Sequence, residues 1–143
     1  MSSANVEAPN TSRANPRALI LVVERNPAVQ QLERFFLEQA GYTVEFANDG
    51  ETALKRAQEL KPKILVTEIL VPKLDGLSLC HALKSDPTTS QILILVFSHL
   101  NAEDRARGAG ADAFLIKPLS EQLLISTVKK LIALQERSAD RNE

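Results

Sequence analysis

The chain has no tryptophan, one tyrosine, one methionine and a single cysteine, Cys80, among its 143 residues. One cysteine excludes an internal disulfide framework and fits a reducing compartment. Aromatic residues make up only 4%, so the stacking platforms that hold single-stranded nucleic acids are poorly supplied. Acidic and basic residues nearly cancel to a net charge of −1, and the whole-molecule field gives no pull toward nucleic acid or an anionic membrane. Long apolar runs are missing too. The longest, 18–23 and 92–97, fall far short of the roughly 20 residues that span a bilayer. No basic region followed by an apolar stretch opens the chain, so no secretory signal is expected. These absences leave a cytoplasmic globular domain, with neither membrane nor nucleic acid among its expected partners.

What is present suits one domain with a real core: 44% hydrophobic and 24% charged residues are ordinary globular values. Residues 1–17 are rich in Ser, Asn, Ala and Pro and read as a flexible N-terminal tail. Residues 136–143 are polar and of mixed charge, and read as a fraying C-terminal extension. The folded block is 18–135.

That block alternates between two patterns. Leu19 to Val23 is a continuous apolar, largely β-branched run, the signature of a strand buried on both faces. Pro27 suits the first turn of a helix. Val29, Leu32, Phe36 and Ala40 follow as its expected apolar face, and Gly41 closes it. The same reading gives strands at Thr43–Ala47, Ile64–Val66, Ile92–Phe97 and Ala113–Ile116. Helices are expected at Glu51–Leu60, Leu77–Lys84, Ala102–Arg107 and Ser120–Leu134. Five such strands alternating with helices imply a parallel sheet covered on both faces. In these sheets functional groups gather at the carboxyl ends of the strands. Here those positions hold Glu24, Arg25 and Asn26, then Thr67 and Glu68, then Ser98 and His99, and last Lys117.

These marks, with Gly41-Tyr42, Ala47-Asn48-Asp49-Gly50, Pro72, Asp75-Gly76, Gly110-Ala111-Asp112 and Lys117-Pro118, resemble the receiver domain of two-component response regulators. The resemblance covers about Leu19 to Leu134. It implies an α/β fold, a flavodoxin-like (βα)5 doubly wound sheet of order 2-1-3-4-5. It also assigns roles: Glu68 stands at the phosphoacceptor Asp position, and Glu24 and Arg25 at the acidic pair that holds Mg²⁺. Ser98 and Lys117 match the helper hydroxyl and the lysine, and Phe114 matches the switch aromatic. Between Ser98 and Gly110 the chain is about one helical turn shorter than receivers usually are, so the signalling face formed there is expected to be altered.

The departures fall inside the site, while the scaffold is intact. Mg²⁺ needs hard oxygen ligands, and a permanently charged guanidinium at position 25 would repel it. Binding of Mg²⁺ is expected to be weak or lost, with no other metal or cofactor. Glu68 carries its carboxylate about 1.5 Å farther out than Asp would, and a misplacement of that size can cost about 10²-fold in transfer. The same reach would let Glu68 accept from Ser98 and pair with Lys117, either imitating a phosphorylated state or simply filling a silent site. Arg25 is expected within ion-pair reach of Glu24 or Glu68. The expected function is a non-enzymatic, bacterial receiver-like module, not phosphorylated by the usual route, that acts by protein contact. Its expected partners are signalling proteins, a histidine kinase or an output protein among them, and a homodimer stays open. Two alternatives remain: a working receiver that uses Glu68, and a small-molecule-binding domain on the same rim. His99 reads as a half-exposed rim residue, His81 as surface, Cys80 as a small buried apolar group, and Thr67 as turned away from Glu68 by strand alternation.

Overall fold

The computed structural model describes residues 17–141, with side chains through Ser138; residues 1–16 of the expected tail lie outside the described residues. Five strands form one parallel sheet: β1 (Leu19–Val23), β2 (Thr43–Ala47), β3 (Ile64–Thr67), β4 (Leu93–Ser98) and β5 (Ala113–Ile116). Their order is β2-β1-β3-β4-β5, with each neighbouring pair parallel. Five helices connect and follow them: α1 (Pro27–Gln39), α2 (Gly50–Leu60), α3 (Gly76–Ser85), α4 (Glu103–Gly108) and α5 (Glu121–Arg141). The expected doubly wound fold is the one present.

Strand alternation divides the core into two layers. Leu21, Val23, Leu65, Ile94 and Val96 face one side and pack with Ala53 and Ala57 of α2, Leu79, Cys80 and Leu83 of α3, and Ala106 of α4. Ile20, Val22, Ile64, Val66, Leu95 and Phe97 face the other side, with Leu37 of α1 and Leu124, Val128 and Leu131 of α5. β1 is apolar at every position, and β3 and β4 at all but their last, because both faces of these strands are covered.

Side-chain caps start four of the five helices, Ser120 Oγ accepting from the Leu123 N–H at 3.2 Å at the start of α5. Asn26 Oδ1 accepts from the N–H groups of Ala28 (2.9 Å) and Val29 (3.3 Å), with Pro27 at the first helical position. Asp49 accepts from the Thr52 N–H at 2.7 Å. Asp75 accepts from those of Leu77 and Ser78, both at 2.9 Å. Each cap satisfies amides that the first turn cannot pair internally. The six-residue α4 has no side-chain cap, which fits its shortened connection.

Two expectations are corrected. The buried face of α1 holds Glu33 and Leu37, whereas Leu32 is exposed. Positions 29, 33, 36, 37 and 40 form as good a helical stripe as 29, 32, 36 and 40, and docking of Leu37 into the core selects the first. The polar end is also helical where it is described, since α5 continues past Leu134 to Arg141. Its amphipathic part no longer sets its length; Gln135 Nε2 donates to the Gln91 carbonyl at 2.9 Å and holds that stretch to the domain.

Two glycines are required by close backbone approach. A Cβ on Gly50 would lie 1.7 Å from the Leu74 carbonyl oxygen, and one on Gly76 would lie 2.2 Å from that of Glu68. Gly76 thus lets α3 begin directly against the chain that carries Glu68. At the first position the backbone is also bonded, Gly50 N–H to Pro72 O at 3.0 Å. Gly50→Ala is expected to lower stability by about 2 kcal/mol or more, because overpacking against backbone cannot relax by side-chain rotation. A urea titration checks this, and an unchanged midpoint would show that the 72–74 loop yields freely.

Candidate functional site

The sheet itself positions the rim. Main-chain bonds continue one residue past the strands: the Glu24 N–H donates to Ala47 O (3.1 Å), Glu68 N–H to Val23 O (3.1 Å) and Lys117 N–H to Ser98 O (2.8 Å). The two carboxylates and the ammonium therefore leave the sheet edge from fixed backbone. The Lys117-Pro118 bond that follows is cis.

Lys117 stands at the centre. Its Nζ lies 2.8 Å from Glu24 Oε1 and 3.1 Å from Glu68 Oε1, and 5.4 Å from the centre of the Phe97 ring. The contact to Glu24 is a hydrogen bond; that to Glu68 is an ion pair out of hydrogen-bonding direction, which leaves Oε1 of Glu68 without a directed donor. Glu24 Oε2 accepts from the Asn26 N–H at 3.1 Å. Glu68 Oε2 accepts from the Ser98 hydroxyl and from the N–H groups of Ile69 (2.6 Å) and Leu70 (3.3 Å). Ser98 Oγ in turn accepts from Leu100 N–H at 3.1 Å. Glu24, Glu68 and Ser98 are buried.

Burial opposes the charge on Glu68, but the Ser98 hydroxyl, the Lys117 ammonium and the Leu70 N–H outweigh it and hold its carboxyl below the usual range. Burial likewise opposes the charge on Lys117, and the Glu24 and Glu68 carboxylates outweigh it and push its proton affinity up. Each group thus keeps its partner ionised.

Arg25 departs from expectation. It is exposed, and among the described residues it forms no ion pair; neither Glu24 nor Glu68 lies within reach of it. The carboxylate oxygens are already taken by Lys117, Ser98 and backbone amides, so the guanidinium gains more by staying hydrated. The other candidates fall as follows. Phe114 is half-buried against the layer formed with α2, α3 and α4. His99 is exposed, with Nδ1 3.4 Å from Glu68 Oε1. His81 is exposed. Thr67 is buried, and its hydroxyl donates to the Glu68 carbonyl at 2.8 Å. Burial pushes the Cys80 thiol up to about 11, which makes it inert as a nucleophile.

Sequence reasoning missed two residues. Gln30 Nε2 reaches both the Glu24 carbonyl and Asn48 Oδ1, the latter at 2.8 Å, and so ties α1 to the start of α2. Glu33 is 1% exposed and its Oε1 has no hydrogen-bond partner. Burial, followed by the negative charge of Glu24, pushes its carboxyl up to about 8; Lys117 partly opposes this and Glu68 adds to it. The available signal was its spacing, four residues from both Val29 and Leu37.

Removing Lys117 would leave two buried carboxylates facing one another. Lys117→Met is expected to cost on the order of 3 kcal/mol at pH 7, the lower end for a broken buried pair because Lys117 retains some exposure. The sign with pH follows from Glu68. A carboxyl held below its unfolded value stabilises the fold above that value, and this stabilisation is lost as pH falls through the depressed one. Glu68 should therefore weaken the wild type only as pH falls below the ordinary carboxylate range, whereas Glu33, held up at about 8, adds stability as pH falls from there toward that range. The deficit of Lys117→Met should shrink between pH 7 and pH 4. A deficit that does not change over that range would place the cost in packing rather than charge.

Residues 20–129 match the family described as the response regulator receiver domain. Among curated relatives, the alkaline phosphatase synthesis transcriptional regulatory protein PhoP of Bacillus subtilis is 35% identical over 87% of this chain and 52% of its own length. The DNA-binding dual master transcriptional regulator RpaA of Synechocystis is 32% identical over 82% of this chain and 50% of its own. The chain thus spans about half the length of these relatives. Among solved structures, a putative response regulator from Chloroflexus aurantiacus has a TM-score of 0.78 and 31% identity, covering 82% of this chain and 98% of that one. The receiver domain of a sensor histidine kinase from Pseudomonas aeruginosa, solved with magnesium coordinated in its active site cleft, has a TM-score of 0.76 and 26% identity over 82% and 98%. With the fold, the rim of Glu24, Glu68, Ser98 and Lys117 and these similarities in agreement, the chain belongs to the receiver-domain family of two-component response regulators.

Proposed function

We propose that this receiver domain passes its signal by protein contact without phosphorylation at the usual site, and that it does not act as an enzyme. One observation carries the reading: Ser98 and Lys117, the two groups that would contact a phosphoryl group carried at position 68, are both engaged by Glu68 itself. The longer side chain brings its carboxylate to the hydroxyl and the ammonium and so occupies the space between them with its own negative charge. This supports a state held permanently, in place of one switched by a phosphodonor.

The donor set does not fit Mg²⁺. That ion takes carboxylate and water oxygens in near-octahedral array. Glu24 spends one oxygen on Lys117 and the other on the Asn26 amide, and Glu68 is engaged as described. The second position of the acidic pair carries a cation, Arg25. Among the described residues, no group of three or more His, Cys, Asp or Glu is placed to hold a metal ion. The Pseudomonas receiver houses magnesium in this fold, so the obstacle lies in the side chains.

The expected partner is a signalling protein, a histidine kinase or an output protein, with a second copy as the other possible occupant. The α4–β5–α5 face supports contact, since Ile116 is 49% exposed and Leu123 54%. No described helix is long and apolar enough to cross a membrane.

Intact-mass measurement after incubation with acetyl phosphate and Mg²⁺ tests this reading. The wild type should gain no phosphoryl mass. Glu68→Asp alone should gain none, because position 25 still supplies no carboxylate for the ion. Glu68→Asp combined with Arg25→Asp should gain it in part, as Ser98 and Lys117 are already in place. A phosphoryl mass on the wild type would establish Glu68 as a working acceptor, and one on Glu68→Asp alone would remove Arg25 as the block. Calorimetric titration with Mg²⁺ gives the parallel result: no saturable heat at low millimolar concentration for the wild type, and recovery with Arg25→Asp.

A further inference from the structure

Three buried carboxylates meet one cation behind the rim. Glu24 is 3% exposed, Glu33 1% and Glu68 4%. Among the described residues, Lys117 is the sole ammonium or guanidinium within ion-pair distance of any of them, and it serves Glu24 and Glu68. Glu33 receives nothing. It makes no hydrogen bond among the described residues, and Oε1 is sealed from solvent with no partner. Three ionised carboxylates around one ammonium would leave two uncompensated charges in the core. A buried acid in that position takes up a proton instead, and Glu33 is the one without a counter-ion.

We propose that Glu33 is a proton-operated positioning residue: neutral, it lies in the core and keeps α1 seated on the sheet, and once ionised it is drawn toward Lys117 and shifts α1 with it.

The surroundings define the direction. Glu24 at the end of β1 and Glu68 at the end of β3 favour the protonated form, Lys117 at the end of β5 favours the ionised form, and burial is the largest contribution. The other charged groups near α1 are engaged elsewhere or stand apart. Arg34 and Glu38 pair with each other at 3.2 Å on its exposed side. Glu45 of β2 pairs with Arg56 at 2.7 Å. On α5, Glu121 and Lys129 line the groove shared with Phe36, Gln39 and Ala40. An ionised Glu33 has one cation to approach, and it would compete there with Glu24 and Glu68. The movement has an external consequence, because the outer side of α1 presents Leu32 and Phe35, 48% and 57% exposed. A proton in the core would thereby set how that apolar pair is displayed. The inference does not rest on loss of phosphorylation.

Carbon-13 NMR of the glutamate carboxyls in the full chain tests it, with Glu33 assigned by the signal lost in Glu33→Gln. The Glu33 carboxyl should titrate near pH 8, and the backbone amides of α1 should shift with the same midpoint. In Glu33→Gln, which keeps the shape and cannot ionise, those amides should stay at their low-pH wild-type positions up to pH 9. Lys117→Met should raise the Glu33 midpoint, since it removes the one favourable charge; if that variant does not fold, the wild-type and Glu33→Gln titrations decide alone. The proposal is overturned if Glu33 titrates in the ordinary carboxylate range, or if the α1 amides stay still while it titrates. It is overturned equally if those amides follow the same pH curve in Glu33→Gln, or if the midpoint does not rise in a folded Lys117→Met.

Discussion

The Lys117 ammonium, held between Glu24 and Glu68, is the contact on which the carboxyl edge of the sheet depends. It joins residues at the ends of β5, β1 and β3, so one side chain ties the edge strand past β4 to two central strands that are distant in sequence. An exposed pair of this kind would contribute little. Here both carboxylates are almost fully removed from water, and each has lost hydration that only the ammonium, the Ser98 hydroxyl and backbone amides replace. The network is thus less a source of net stability than a condition for burying two acids at all. It also determines what else the rim can accept, because a group already committed to an internal partner must be released before it can bind an incoming one.

The fold was legible because its strands are extreme. A run such as Leu19 to Val23, apolar at every position, has few options other than a strand covered on both faces. Of the helix starts, Pro27 and Asp49-Gly50 were legible, whereas the capping by Asn26 and Asp75 came only with the structure, although each acts within one turn of the chain. The short α4 followed from a count of residues. Gly110-Ala111-Asp112 could be read only as a family mark; in space, Asp112 Oδ2 accepts from the Ile94 N–H at 2.8 Å and pairs with Lys84 at 2.9 Å, joining α3 to the edge of the sheet.

The residues that escaped the sequence are those whose fate is decided by competition. Glu24, Glu68, Ser98 and Lys117 meet in space because strand ends converge by topology. Arg25 sits beside them in sequence, yet whether its guanidinium turns inward depends on whether another cation has already satisfied the carboxylates, and Lys117 has. The same holds for α1. Leu32 and Glu33 are adjacent, and either could lie on the helical stripe; hydrophobicity favours Leu32, whereas the position of Leu37 against the sheet imposes Glu33. Tertiary packing overrode the local preference, and the outcome was an exposed leucine and a buried acid.

These two reversals change the electrostatics of the site together. Read along the chain, Glu24, Arg25, Glu68 and Lys117 form a balanced set, two charges of each sign. In space the balanced set does not exist: Arg25 leaves for solvent, and Glu33, absent from any reading of the rim, enters from beneath. What remains is a cation shared by two carboxylates, with a third acid whose Oε1 has no partner and whose burial favours the neutral form. A surplus of negative charge in a receiver pocket can be offset by a divalent ion. In this chain the Lys117 ammonium and, on the proposed reading, a proton on Glu33 cut the surplus of the three carboxylates to a single charge. On the reading proposed above, a rim whose carboxylates are already engaged by Lys117, Ser98 and backbone amides has a weakened electrostatic demand for an external ligand. That, more than the loss of any single residue, would set it apart from one built to recruit a metal and a phosphoryl group.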